Sequence, residues 1–234
     1  FLIINFLKEV WCIMDFYTFV EGPLLWIAFM VFIIGSLLRV GIFLVSSTKK
    51  DKIIYQHFSW KYAFLTLFRW LLPINKSVAK NPVYSILGYI FHICLMVVPI
   101  WLAGHIYLWE ESRFEWSWTP IPDWLADWMT IILLVIALFF LLRRIFSADI
   151  RLISGFADYL LIVVTALPFL TGYFLSHGTL DNIGFLGDNM TLIHMLSGEL
   201  MLILIPFTKL SHALLFFISR GATGIEFGRR GYSI

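Results

Sequence analysis

The sequence predicts an all-α protein, an integral membrane bundle of five transmembrane helices with its N-terminus outside and its C-terminus in the cytoplasm. Three observations predict it. Of the 234 residues 60% are apolar and 14% charged, against about 45–50% and about 25% in soluble domains. Five stretches reach the length of about 20 apolar residues that a hydrocarbon core of about 30 Å requires. The basic residues between those stretches alternate sharply in density from loop to loop, which orients the chain. A mean hydropathy of +0.88 and 18% aromatic residues exclude a disordered or fibrous chain. With a net charge of +2 and no long basic run, lipid is the expected partner and nucleic acid is not.

The whole chain, 1–234, reads as one membrane domain. It begins at Phe1 rather than Met, so further residues are expected before it, and residues 1–20 do not read as a signal peptide. The first span, about 22–47, holds only Arg39 as a charge. From 52 to 72 the apolar Ile53, Ile54, Tyr55, Phe58, Phe64, Leu65 and Leu67 mix with Lys52, Lys61 and Arg69, and Pro73 closes the run. That pattern predicts an amphipathic helix lying on the cytoplasmic surface; the alternative is a wall of a lipophilic site. The second span, about 82–109, is free of charge until Glu110, and the third covers about 124–146. Asp158 interrupts the fourth, about 152–175, while Glu199 and Lys209 interrupt the fifth, about 190–219. Such groups are costly in lipid and are expected to face the bundle interior, relaying protons or bonding between helices. Residues 220–234 form a cytoplasmic tail.

Segment 48–81, the turn after the third span and the tail together carry thirteen Lys and Arg. The N-terminal segment and the loops 110–123 and 176–189 carry Lys8 and Arg113 alone. The thirteen are placed in the cytoplasm by the positive-inside rule, and the odd number of crossings follows. Trp109, Trp116, Trp118, Trp124 and Trp128 cluster at the outer ends of the second and third spans as an interfacial belt.

Two cysteines, Cys12 and Cys94, form no Cys-x-x-Cys pair. Iron–sulfur clusters, thiolate zinc and c-type haem therefore lack their ligands. Histidine remains. Of six, His92 and His105 fall in the second span, and His194 and His212 in the fifth. His194 and His212 are eighteen residues apart, five turns of a straight helix, which puts them on one face about 27 Å apart. Because the second span rises where the fifth descends, His92 comes level with His212 and His105 with His194. Two imidazole pairs at two depths are the arrangement for two bis-histidine b-type haems, since neutral imidazole is a good axial ligand and two saturate the iron.

His92 and His105 are thirteen residues apart, about 220° around a straight helix, so Pro99 between them is expected to kink or re-phase the second span. Gly88, Gly104, Ser197 and Gly198 either make room for flat porphyrins or allow close helix packing. Arg39, Arg143 and Arg144 either pair with propionates or snorkel to headgroups. His57 and His177 lie outside the spans and read as interfacial or loop residues, the alternative being a part in a quinone site or in proton exchange.

The run Leu192-Ile-His194-Met-Leu-Ser-Gly-Glu-Leu200, continued by Ile205-Pro-Phe-Thr-Lys-Leu-Ser-His212 and by Gly224-Ile-Glu-Phe-Gly-Arg-Arg230, resembles the nitrate reductase gamma-like di-haem cytochrome b family. Within it the chain is most similar to the membrane cytochrome b subunits (DsrM, TmcC and HmcE types) of sulfate-reducer redox complexes, and to the related heterodisulfide reductase cytochrome. The resemblance implies that His92 and His212 ligate an inner haem b and His105 and His194 an outer one. It implies exchange of electrons with a quinone, usually menaquinone, in a prokaryotic inner membrane. It also implies a cytoplasmic iron–sulfur, heterodisulfide-reductase-like subunit docked on the basic inner face and the Gly221–Ile234 tail, and a periplasmic multihaem cytochrome c meeting Glu110, Glu111 and Glu115.

The expected function is that of an electron-transfer subunit of a respiratory complex, without a complete reaction of its own. No residue reads as a nucleophile or a hydrolytic metal site. One rival is a haem-free, quinone-binding membrane anchor. Another is an ion transporter using Glu199, Asp158 and Lys209; it asks for helices broken mid-membrane in corresponding halves, and no such repeat is legible in the sequence.

Overall fold

The computed structural model describes residues 16–50, 56, 58–72, 78 and 80–231. Among the described residues every regular element is a helix. Four helices among these residues are each long and apolar enough to cross a membrane, and one bent pair provides a fifth crossing if it acts as a single span. His57, the start of the expected surface helix at 52, and residues 1–15, with Lys8 and Cys12, lie outside the described residues.

Helix α1 spans Phe16–Lys50 and contains a π-helical turn, Val20–Leu24, around Pro23, whose missing amide disturbs the ordinary ladder. It is followed by α2 (Trp60–Leu71), α3 (Pro82–Trp101), α4 (Ala103–Glu110), α5 (Asp123–Phe146) and the short α6 (Ala148–Leu152). Then come α7 (Phe156–His177), the short α8 (Gly184–Asp188), α9 (Met190–Leu204) and α10 (His212–Arg229). Local chemistry sets several ends. Pro82 opens α3, where a missing N–H costs nothing. The Gly155 amide donates to Asp158 Oδ2 at 3.0 Å at the start of α7, and Gly178, at φ 56°, closes it in the left-handed conformation.

The helices pack in an arc: α3 on α5, α5 on α7, α7 on α9, and α9 on α1. Neighbours α3, α5, α7 and α9 alternate in direction. The Arg143 guanidinium lies over the Tyr84 ring at 4.4 Å, joining the end of α5 to the start of α3. The Tyr159 hydroxyl donates to the Arg144 carbonyl at 3.1 Å. By contrast α1 runs parallel to α9: its π turn contacts α9, and farther along a Cβ at Gly35 would stand 2.8 Å from Pro206 Cγ. Cys94, Val98, Leu133 and Phe169 form the buried centre of the α3–α5–α7 part of the arc.

Three elements differ from the sequence reading. The second span is broken: Leu102 is extended, with ψ 131°. Helix persists through Pro99 and stops three residues later, so the re-phasing expected at the proline occurs at Leu102. The fifth span is also broken, between Leu204 and His212, with a bend of 71°. Pro206 removes an amide there, and the Thr208 hydroxyl donates to the Leu204 carbonyl at 2.7 Å. The five straight turns between His194 and His212 therefore do not exist. Finally, helix α10 continues to Arg229, where a tail from 220 was expected, because α2 packs along it. Gly224 and Gly228 make that approach possible: a Cβ at Gly224 would stand 2.6 Å from the Tyr62 carbonyl oxygen. Trp60, Phe64, Phe68 and Leu71 remain exposed on the opposite side of α2.

Candidate functional site

The two histidine-bearing strings, α3–α4 and α9–α10, make no more than marginal helix-to-helix contact. Their packing partners are α5 for α3, α7 and α1 for α9, and α2 for α10. Imidazole rings face each other across that seam. His92 of α3 and His212 of α10 have ring centroids 5.9 Å apart with planes at 88°. His105 of α4 and His194 of α9 lie 6.0 Å apart with planes at 10°. His92 and His212 are exposed on the chain's own surface, and His105 and His194 are half-buried.

Each ring is held by Nδ1. His92 Nδ1 lies 2.7 Å from the Gly88 carbonyl, His105 Nδ1 2.9 Å from that of Pro99, and His212 Nδ1 2.9 Å from that of Lys209. A carbonyl only accepts, so these nitrogens carry the proton. His194 Nδ1 lies 3.2 Å from Thr171 Oγ1. That hydroxyl already donates to the Leu167 carbonyl at 2.9 Å, which leaves it to accept from His194. The partners thereby select one tautomer for the uncharged form of each ring, with the Nε2 lone pair available to a metal.

Two of the four bonds depend on the helix breaks. In an unbroken helix the Pro99 carbonyl would serve the amide at 103; the extended Leu102 releases it to His105. The next carbonyls are also taken up. Trp118 Nε1 donates to Ile100 at 2.9 Å, and the Ile121 amide donates to Trp101 at 3.0 Å. Trp118 is thus a cap for a broken helix as well as a member of an aromatic belt. On the other string, the carbonyl that holds His212 belongs to Lys209, whose Nζ meets Asp158 Oδ1 at 2.6 Å. Asp158 is 8% exposed, so this ion pair anchors the second break to the first turn of α7.

The seam has room. A Cβ at Gly88, Gly104 or Gly198 would meet no atom within 4 Å, so these positions border open space rather than a packed helix. At Gly172 a Cβ would stand 2.9 Å from His194 Cε1, so any side chain there would displace that ring. Thr171 and Gly172 escaped the sequence reading, because nothing in it said that their helix faces His194.

With metal–nitrogen bonds of about 2 Å, two imidazoles sharing an iron have centroids about 6 Å apart. Both pairs fit that spacing. Among the described residues no group of three or more His, Cys, Asp or Glu could hold a bare ion. Pairs of imidazoles suit an iron whose other ligands come from a porphyrin.

The remaining candidates have other partners. Arg144 donates to Ser154 Oγ at 2.7 Å, and Arg39 is exposed. His177 Nε2 lies 3.4 Å from Asp127 Oδ2, and the ring stacks on Tyr173; it ties the end of α7 to α5. Glu199 is 3% exposed, and neither of its carboxylate oxygens has a hydrogen-bond partner.

No family model matches the chain. A protein of Nitratidesulfovibrio vulgaris (strain Hildenborough) is 34% identical over 221 residues, which cover 92% of this chain and 95% of the relative. Identity at that level over nearly the full length of both shows common descent, and the chain belongs to one family with this Nitratidesulfovibrio vulgaris protein.

Proposed function

We propose that the chain is the di-haem b-type cytochrome subunit of a membrane-bound respiratory complex of the prokaryotic inner membrane, passing electrons between a membrane quinone and partner redox subunits. The observation that carries this reading is the pair of facing imidazole couples, at 5.9 Å and 6.0 Å, on helices that leave a seam between them. His92 with His212 holds one haem and His105 with His194 the other. Bound there, haem supplies one-electron chemistry at an iron saturated by imidazole, which favours electron transfer over oxygen binding. The chain's own residues fix the ligands. Gly88, Pro99 and Lys209 carbonyls and the Thr171 hydroxyl hold the four rings, and Asp158 tethers the turn that carries His212. Menaquinone is the expected quinone, and an iron–sulfur subunit, a cytochrome c or both are the expected partners. The relative's origin in a sulfate reducer agrees with this reading.

Reduced-minus-oxidised spectra of the purified chain, produced with haem supplied, test it. A b-type α band with two haems per chain is expected. No α band would sink the claim and leave the haem-free anchor. His194→Ala should remove one haem and His212→Ala the other; loss of neither would refute the pairing.

A further inference from the structure

Glu199 lies in the middle of α9 and is 3% exposed, yet neither carboxylate oxygen has a hydrogen-bond partner. An ionised carboxylate so placed is far costlier than the neutral acid, and the other buried acid, Asp158, meets that cost with Lys209 at 2.6 Å. Ser36 of α1 is buried as well, and its hydroxyl is likewise without a partner. We propose that Glu199 is a proton-binding site inside the bundle, carrying a proton as the free acid and exchanging it with water that enters along the Ser36 face of α1. The site needs no haem and stands apart from the cytochrome reading.

Helix register puts the two orphaned groups on one interface. Gly35 of α1 faces Pro206, and seven residues earlier on each chain, two turns back on the same face, stand Ala28 and Glu199. Ala28 is fully buried. The α9 face that meets α7 is a different one: Ser197 Oγ lies 3.3 Å from Thr171 Oγ1, and Glu199 is about 200° around the helix from Ser197. Glu199 is therefore covered by α1. No cation on a packed element lies beside it. Arg39, Lys49 and Lys50 of α1 are exposed and eleven or more residues beyond Ala28, while Tyr17 and Glu21 are exposed toward the other end. On α7, Asp158 and Tyr159 are engaged with Lys209 and the Arg144 carbonyl, and Tyr173 stacks on His177 at the far end.

A route for water follows the same helix. Ser36 stands beside Gly35, at the level of Pro206, where α9 has ended and the chain bends by 71°. Phe43 and Ser47 follow Ser36 by seven and eleven residues, within about 20° of its face, and both border an open-sided pocket of about 310 Å³ between α1 and α10. The Ser219 and Thr223 hydroxyls also line that pocket, which has room for several waters at about 30 Å³ each. Buried polar atoms that lack a protein partner are ordinarily met by water. Ser36 is the relay, since a hydroxyl accepts one proton and donates another. About 12 Å of rise separates it from the level of Glu199, a distance for a short file of waters rather than for a direct bond.

Infrared spectra of the full chain in phosphatidylcholine vesicles test the proposal. The parent should show the carbonyl stretch of a protonated carboxylic acid, a band that an ionised carboxylate lacks, and Glu199→Gln should lose it. Transfer to heavy water should shift the band, and Ser36→Ala should slow that exchange about tenfold, the size of one lost hydrogen bond. Dicyclohexylcarbodiimide, a lipid-soluble reagent for protonated carboxyls, gives a second reading that needs no variant. The acid adds across one C=N bond, its oxygen to the central carbon and its proton to nitrogen, and the acyl group then migrates to the other nitrogen as a stable acylurea. Peptide mass spectrometry should find the adduct at Glu199 and not at Asp158. No acid band in the parent, a band that persists in Glu199→Gln, or modification of Asp158 in preference to Glu199 overturns the site; unchanged exchange in Ser36→Ala overturns the route. Band and adduct without a haem α band keep the site and refute the cytochrome, and an α band without them does the reverse.

Discussion

At the scale of the residue, the four histidines are constrained more by what holds them than by where they stand. Fixing the proton on Nδ1 leaves each Nε2 free to act as a ligand, and His194, the ring held by a side-chain hydroxyl, is the most exposed to substitution. Thr171→Val removes its acceptor. Loss of such an outer-shell partner lowers affinity about 10–100-fold, so on the di-haem reading the haem proposed at His105–His194 should be depleted while the other remains, read as haem stoichiometry. Gly172→Val, whose Cβ would enter the space of His194 Cε1, should abolish that haem outright. The ring planes give a second signature. A perpendicular couple, 88° for His92–His212, produces a large-gmax low-spin signal, whereas a near-parallel one, 10° for His105–His194, gives an ordinary rhombic spectrum. Electron paramagnetic resonance of the oxidised protein should contain both, and His194→Ala should delete only the rhombic signal. Two signals of the same type would contradict the ring geometry.

At the scale of the element, two broken helices do the positioning. Each break frees carbonyls, and unpaired carbonyls in an apolar setting are costly; Trp118, the Ile121 amide and His105 meet those of Ile100, Trp101 and Pro99 at one, and Thr208 and His212 meet those of Leu204 and Lys209 around the other. Broken helices in two spans are also what an ion-transport reading asks for. Here the Pro99 and Lys209 carbonyls at the two breaks are engaged by His105 and His212, and the Leu204 carbonyl by Thr208. Trp118→Phe should therefore cost about 1–3 kcal/mol through the orphaned Ile100 carbonyl. In detergent melts it should destabilise far more than Trp116→Phe, whose exposed ring has no such bond; equal effects would return Trp118 to a simple anchor. Asp158→Asn removes the charge that holds Lys209 at 2.6 Å. On the di-haem reading it should lower occupancy of the haem proposed at His92–His212 and spare the other, with Asp158→Glu restoring part of it.

At the scale of the whole molecule, the arc α3–α5–α7–α9–α1 brings α1 back against α4 and the loop after it, through the Phe29–Trp109 and Trp26–Phe114 ring contacts, and places the histidines along the seam between the two strings. The same antiparallel order gathers Lys49 and Lys50, Arg143 and Arg144 at one end of the bundle, by the contacts that join α5 to α3 and to α7. That end is the cytoplasmic one if the positive-inside rule governs insertion. A green fluorescent protein fused after Ile234 should then fluoresce, and alkaline phosphatase at the same place should be inactive; the opposite pattern would invert the chain. Much of this was legible beforehand. Five apolar stretches and four histidines within two of them are one-dimensional facts, and the third stretch, about 124–146, agrees with α5 (Asp123–Phe146) to within a residue because Asp123 and the Arg143–Arg144 pair bracket it. The breaks were not legible, since Leu102 carries no sign of an extended backbone and Pro99 only points to its neighbourhood. Nor could Thr171 and Gly172 be found, because their role exists only once α7 lies against α9.

The sequence by itself determined the solvent, the helical class and the residue type able to hold a metal. Length and apolarity decide whether a segment can live in lipid, and the near absence of cysteine leaves imidazole. Only the tertiary structure decided which histidines meet, which nitrogen each keeps free, and how much room surrounds them. Those depend on the rotation of one helix against another, and a single extended residue or a 71° bend changes that rotation without altering the hydrophobic pattern.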